Sequence, residues 1–357
     1  MIVFADDKLK SEVMQMWKIC FGDSDEFIDL YFRTKYRNEN TLVKMVDGEA
    51  VASLQMIPYE MTFGDGRIST IYISGACTLP EKRNNGYMKE LMNAAFIEMK
   101  KRDVVLTTII PQNKELSGFY KKMGYTDMFD VRKEKIQLPV NADIFGFEIK
   151  KAKIEDAPAV SEYCNRISEN RDLMVLKTQT DWEAVFEDYF LAKGNIYLTY
   201  LGNQLAGVCF TSIKDNTLQI KNLLADNSLA KRAILSFIAF DYSISEAVLV
   251  TDDDSPECEP SGMARITDVE KILSLYAEKY SNFNFSVKVT DKQADWNNNT
   301  YHIISGNYIG HSDVIKPDFQ MSINLLTRLM LGYRISSLPD IYRIFPIENA
   351  VMNLMME

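Results

Sequence analysis

Apolar residues near the start of the chain recur at helical spacing. Val13, Met16, Trp17 and Cys20 fall on one face, which predicts a helix over 8–20, and 25–36 repeats the pattern. The period then shortens. Runs at 41–46 and 50–57 read as strands around Asp47-Gly48, a pair that tolerates positive φ and so favours a tight hairpin turn. A second hairpin, 59–63 with 67–74, turns at Gly64-Asp65-Gly66. The apolar run from Ile71 to Pro80, a helix from Tyr87 to about Lys101, a strand at 104–110 and a helix from about 115 complete this unit. Residues 136–146, with Pro139 and few charges, read as a strand end and a linker.

A fainter version of the same rhythm begins at 147. The pattern predicts a helix over 153–167, a hairpin of 197–200 and 205–212 around Leu201-Gly-Asn-Gln204, a strand at 217–223 and a helix at 228–239. The segment before that last helix, Asn222 to Ser228, holds no Arg-x-x-Gly. The Asp/Glu/Pro/Ser-rich stretch 251–262 marks a boundary. Beyond it we expect a helix opening at Met263–Ile272, strands at 283–290 and 301–304, a helix at 320–330, a break at Gly332 and a helix at 338–344. The division is three units, 1–140, 147–255 and 262–357, all of mixed α+β character.

The densest chemistry lies in 71–125. An apolar strand ends at Pro80, and the loop Glu81-Lys-Arg83-Asn-Asn-Gly86 opens directly into a helix. A helix start leaves four backbone N–H groups without partners and carries partial positive charge. A glycine there lets a phosphate come close, and Arg83 adds charge. The stretch resembles the coenzyme A motif of GNAT acyltransferases, Arg/Gln-x-x-Gly-x-Gly/Ala. Phe119-Tyr120-x-x-x-Gly124-Tyr125 resembles the family's second signature, Phe-Tyr-x-x-x-Gly-Phe/Tyr. Met88 stands where the general motif has Gly or Ala, a departure that the enhanced-intracellular-survival (Eis-like) branch tolerates. The last unit resembles the sterol-carrier-protein-like domain that ends Eis-like enzymes, through Arg265 to Asp268, Asp291 with Trp296-Asn, and Leu329-Met-Leu-Gly332. The resemblance therefore implies tandem GNAT-like domains, 1–140 catalytic and 147–255 degenerate, followed by a small sterol-carrier-like domain at 262–357.

It also implies acetyl-CoA as co-substrate and no metal. Arg83, Asn84, Asn85, Gly86, Tyr87 and Met88 would hold the pyrophosphate, and the main chain of Ala76, Cys77 and Thr78 would pair with the pantetheine arm and the acyl carbonyl. Tyr120 matches the tyrosine that the family places beside the coenzyme A sulfur. A phenol, with a pKa near ~10, can give a proton to a leaving thiolate. A packed aromatic at the same place is the plainer alternative. Cys77 has no histidine partner in sequence reach and reads as a core thiol rather than a nucleophile. The two histidines, His302 and His311, fall in the last unit. Eis-like enzymes suggest the α-carboxylate at the chain's end as base; here that is Glu357, after the apolar Leu354-Met355-Met356. Asp25 and Glu26, between the first two helices, suit a cationic acceptor and equally suit the start of a helix.

Charge adds a constraint. Residues 1–140 carry 20 groups of each sign, and the remainder holds 20 basic against 30 acidic, so the net −10 belongs to the later units. An acidic chain is a poor nucleic-acid binder. No apolar run approaches the roughly 20 residues that span a bilayer. The first residues lack a basic-then-apolar leader, and the five cysteines are odd in number and scattered, so we expect a cytoplasmic protein with reduced thiols. The function expected is acetyl transfer to a primary amine of a small molecule or peptide by direct attack on the thioester. A non-catalytic acyl-CoA or lipid carrier, or an enzyme with another acyl donor, is the rival, and homo-oligomerisation stays open.

Overall fold

A computed structural model of the chain describes residues 1–139, 146–169, 171–252, 257–312, 316–352 and 355–356. The first unit runs β1 (Ile2–Phe4), α1 (Asp7–Phe21), α2 (Asp25–Thr34), β2 (Thr41–Val46), β3 (Glu49–Phe63), β4 (Gly66–Thr78), α3 (Tyr87–Lys101), β5 (Leu106–Ile109), α4 (Lys114–Lys122) and β6 (Thr126–Gln137). Local signals account for these bounds. Asp6 accepts from the N–H groups of Lys8 and Leu9 to start α1, and Gly22, at φ 74°, ends it. The two strand runs separated by Pro58 form one strand, β3, because Pro58 sits in register opposite Ile71 and the pairing continues on both sides.

The second unit runs β7 (Phe147–Lys151), α5 (Ala157–Ser168), β8 (Val175–Leu176), α6 (Gln179–Leu191), β9 (Asn195–Leu201), β10 (Gln204–Lys214), β11 (Thr217–Ala225), α7 (Ser228–Tyr242) and β12 (Glu246–Thr251). The pattern reading passed over α6. Its signal is the reciprocal cap of Thr178 and Asp181, each side chain satisfying the other's backbone N–H. The rest of the chain gives β13 (Glu259–Ile266), α8 (Val269–Lys279), β14 (Phe285–Thr290), β15 (Thr300–Ile304), β16 (Asn307–His311), β17 (Phe319–Ser322) and α9 (Ile323–Met330).

Three expectations change here. Met263 does not open a helix: residues 259–266 are a strand, and the helix waits for its cap at Asp268. Residues 319–322 are likewise a strand, with Ser322 capping α9. Residues 335–342 give two short 3-10 turns rather than a helix.

Among the described residues, one mixed sheet runs β1-β2-β3-β4-β5-β13-β6-β12-β11-β10-β9-β7, and a separate four-stranded sheet runs β16-β15-β14-β17. The two halves of the large sheet share one topology. In each, an antiparallel meander ends in a parallel pair, β4 with β5 and β11 with β12, and a helix, α3 or α7, makes the crossover. β13 lies antiparallel between β5 and β6, so the late part of the chain enters the first sheet.

Two cores flank that sheet. On one face Leu54, Met56, Ile71 and Ile73 pack with Leu91 and Phe96 of α3 and Tyr120 of α4. On the other, Trp17, Tyr31 and Phe32 of α1 and α2 share a cluster with residues of α8 and α9, Met352 and Met356. Two described residues near the chain's end, Met352 and Met356, belong to this core. Val351 donates to Leu173 O at 2.9 Å and accepts from Val175 N at 3.0 Å. Met356 is 3% exposed. Glu357 lies outside the described residues.

Candidate active site

The parallel pairing of β4 with β5 runs from Thr70–Leu106 to Ile73–Ile109. A register shift follows on the β3 side, between Ser53 and Gln55. Gly75 makes the turn possible at φ 57°, and a Cβ there would meet the Trp17 ring at 2.5 Å. Ala76, Cys77 and Thr78 therefore continue past the last β5 pair. The opening is a cavity of about 510 Å³ between the end of β4, the loop 82–89 and α4.

The loop is built to leave a helix start bare. Asn84 and Gly86 take positive φ, 66° and 80°. Asn85 turns its side chain back to the carbonyls of Lys82 and Arg83, at 3.0 and 3.2 Å. Arg83 donates from Nε to Thr78 O at 3.2 Å and is otherwise exposed at the cavity rim. Gly86 is the N-cap of α3 and offers no side chain, whereas α1, α2, α4, α6, α7, α8 and α9 each have a side-chain cap. Nothing lies within 4 Å of where a Gly86 Cβ would sit. The unpartnered N–H groups and positive end of α3 thus face open space beside a guanidinium, a fit for a phosphate.

Tyr120 forms part of the cavity's far wall at the C-terminal end of α4 and is 4% exposed. Its ring meets Phe119 and Tyr125 edge-on, with centroids 5.2 and 5.8 Å away. Burial pushes its hydroxyl pKa above the ordinary tyrosine value, so at neutral pH the group holds its proton. Tyr125 is fully buried, with its hydroxyl 3.1 Å from Thr107 Oγ1.

Two thiols share the near wall. Cys20, on the last turn of α1, lies 3.5 Å from Thr78 O, and Cys77 lies 3.5 Å from Ser53 Oγ. Hydrogen bonding from the Cys77 thiol, helped by Arg83, lowers Cys20 to about 7 against the opposing effect of burial. Cys77, buried, moves the other way. The sequence reading placed Cys20 only on the apolar face of the first helix; its place beside Cys77 becomes visible when α1 packs against the end of β4.

Asp25 and Glu26 do not line this cavity. Asp25 is exposed and paired with Lys18 at 2.6 Å, and Glu26 faces a separate groove with Asp29 and Arg33. Both stand in the first turn of α2, which Ser24 caps. Asp23 accepts from Trp17 Nε1 at 2.7 Å. Gln55, beside Gly75, is 1% exposed, and neither end of its amide has a partner among the described residues. His302 is buried in β15 with Nε2 3.0 Å from Ser312 O, and neither histidine lines the cavity. No described helix is long and apolar enough to cross a membrane.

Residues 3–128 match the acetyltransferase (GNAT) domain family, and residues 269–350 match the sterol carrier protein domain. No curated protein matches the chain in sequence. Solved structures similar in fold include a GCN5-related N-acetyltransferase from Anabaena variabilis ATCC 29413, at 15% identity and a TM-score of 0.77 over 94% of this chain and 91% of that one. A protein of unknown function and probable N-acyltransferase from Enterococcus faecalis V583 shares 17% identity, with a TM-score of 0.77 over 98% and 97%. Eis1 from Mycobacterium abscessus shares 14%, with a TM-score of 0.76 over 99% and 97%. The likeness in each case is one of fold across nearly the whole chain.

Proposed function

Taking the chain as a GNAT acyltransferase that ends in a sterol carrier protein domain, we propose that it moves an acetyl group from acetyl-CoA to a primary amine. The observation that carries this reading is the bare start of α3, held open by Gly86 beside Arg83 and opposite a buried, protonated Tyr120. The α3 N–H groups and Arg83 receive the pyrophosphate. The main chain of Ala76–Thr78, free of β5 beyond the bulge, pairs with the pantetheine arm and the carbonyl. The amine attacks the thioester carbon directly, the carbon–sulfur bond breaks, Tyr120 gives its proton to the departing sulfur, and the proton that the nitrogen sheds on becoming the amide restores the Tyr120 hydroxyl. A proton must leave the ammonium first, because such amines have pKa values near ~10.4. We assign that step to the terminal carboxylate at Glu357, since Met356 immediately before it is buried in the cluster that also holds Cys77 of the cavity wall. A small molecule or peptide with a cationic amine is the acceptor, and residues 1–140, 147–255 and 262–357 are the catalytic, degenerate and carrier-like units.

A thiol-release assay with acetyl-CoA across polyamines, aminoglycosides and lysine peptides tests the reading. Turnover with at least one amine, absent with matched alcohols, is the expected outcome. Release with no amine in the panel, alongside calorimetry showing no acetyl-CoA binding, would remove it.

A further inference from the structure

The C-terminal end of α4 is held by residues far along the chain. A helix end leaves its last carbonyls without intrahelical partners. Here the carboxy-terminal part of the chain supplies them. Asn324 donates from Nδ2 to Lys121 O at 2.9 Å and to Tyr125 O at 2.7 Å. Gln293 donates to Lys122 O at 3.1 Å. Arg265 donates from Nη1 to Met123 O.

Arg265 is fully buried, which is unusual for its type. Its Nη2 pairs with Asp291 at 2.7 Å, both side chains at 0% exposure. Asn297 Nδ2 and the backbone N–H of Gln293 also bond the Asp291 carboxylate, at 2.9 and 3.0 Å. The guanidinium lies 4.1 Å from the centre of the Phe96 ring on α3, so one cation touches both helices that border the cavity. Gly124 is the window for it. At φ 90° it turns the chain out of α4, and a Cβ there would sit 2.0 Å from Arg265 Nη1. The glycine of Phe-Tyr-x-x-x-Gly-Tyr is thus required by Arg265 as well as by the turn.

We propose that Arg265, locked by Asp291 and assisted by Gln293 and Asn324, is a positioning residue that fixes α4 and so places the Tyr120 hydroxyl for proton transfer. This rests on reading Tyr120 as the proton donor. Removing one ion of a buried pair strands the other, so Arg265 alone is a poor target. Gln293→Ala with Asn324→Ala removes the outer two clamps, both half-buried, without stranding a charge. Arg265→Met with Asp291→Leu removes the inner pair together.

Small misplacement of a catalytic group can cost about 100-fold in rate. Each pair should lower kcat by about 10- to 100-fold with acetyl-CoA as donor, while calorimetric affinity for coenzyme A changes by less than about threefold, since the α3 cradle is untouched. In a Tyr120→Phe background the same changes should add less than about a further twofold, because the clamp acts through that hydroxyl. Full additivity with Tyr120→Phe, or unchanged kcat in the Gln293→Ala, Asn324→Ala protein, overturns the proposal. A fully active Tyr120→Phe protein instead brings down the proton-donor reading, and the proposal with it.

Discussion

Gly86→Asp separates two roles that one glycine plays. Gly86 holds φ 80°, so any side chain there strains the backbone by about 1–2 kcal/mol. The protein itself has room, because nothing lies within 4 Å of the new Cβ. Folding should therefore survive, and loss of coenzyme A binding has to come from the ligand side. A carboxylate at this N-cap stands where the pyrophosphate is proposed to sit. Two unit charges about 4 Å apart repel by about 1 kcal/mol in water and about 4 kcal/mol at an effective dielectric of 20. Gly86 is exposed, so the lower half of that range applies, about 1–2.5 kcal/mol, or roughly 5- to 70-fold in affinity. Gly86→Asn is the control, since asparagine tolerates the same backbone and has no charge. Calorimetry at low salt should find the Asp protein weaker than the Asn protein by that factor, with the gap narrowing as salt is raised. Equal affinity of the two would place the pyrophosphate elsewhere.

Three further outcomes are expected. Tyr120→Phe keeps the buried ring and removes the proton, so kcat should fall by about 10²–10⁴-fold with little change in thermal stability; near-full turnover would leave Tyr120 a packing residue. Adding one or two glycines after Glu357 leaves the buried Met356 unchanged in sequence and moves the terminal carboxylate by up to about 3.5 Å per residue, so kcat should drop while acetyl-CoA affinity holds; an unaffected rate excludes that carboxylate as base. Cys20, lowered to about 7, should alkylate half-maximally near neutral pH, below an ordinary thiol near ~8.5, and bound coenzyme A should protect it. Because the Cys77 thiol is the main cause of that lowering, Cys77→Ala should move the alkylation midpoint upward, and a midpoint left at neutral pH would refute the pairing.

What the sequence disclosed and what it hid follow from the range of the forces involved. Helix α1 was legible because Val13, Met16 and Trp17 share one face, and the β2–β3 turn because Asp47 and Gly48 both take positive φ. The start of α3 at Tyr87 was legible because a glycine directly before a helical run is a local signal. β13 was not. Met263-Ala-Arg-Ile suits a helix as well as a strand, and what decides is pairing with β5 and β6, more than a hundred residues earlier. Arg265 was hidden for the same reason, since nothing near it in sequence announces an arginine with no exposed surface. Asp25 and Glu26 show a local signal that admits two readings. Acids at the start of a helix have a local explanation, and the structure supplies it in the Ser24 cap and the Lys18 pair.

The sheet also shows why the later units cannot be treated as attachments to a finished acyltransferase fold. β6 joins the two halves: Thr126–Val131 pairs with β13 and Arg132–Gln137 with β12. β5, whose end opens the cavity, has β4 on one side and β13 on the other. Without Glu259–Ile266, β5 and the first part of β6 would expose unpaired edges, and Arg265 would be missing from the end of α4. The second half keeps the sheet order of the first, yet α7 is capped by Asn227, whose side chain accepts from Ala230 N at 2.9 Å. The N–H group of Ala230 is thereby satisfied by the protein itself, where the corresponding end of α3 is left bare by Gly86. One architecture thus occurs twice, and its two crossover helices differ at their starts: α7 carries a capping side chain and α3 does not.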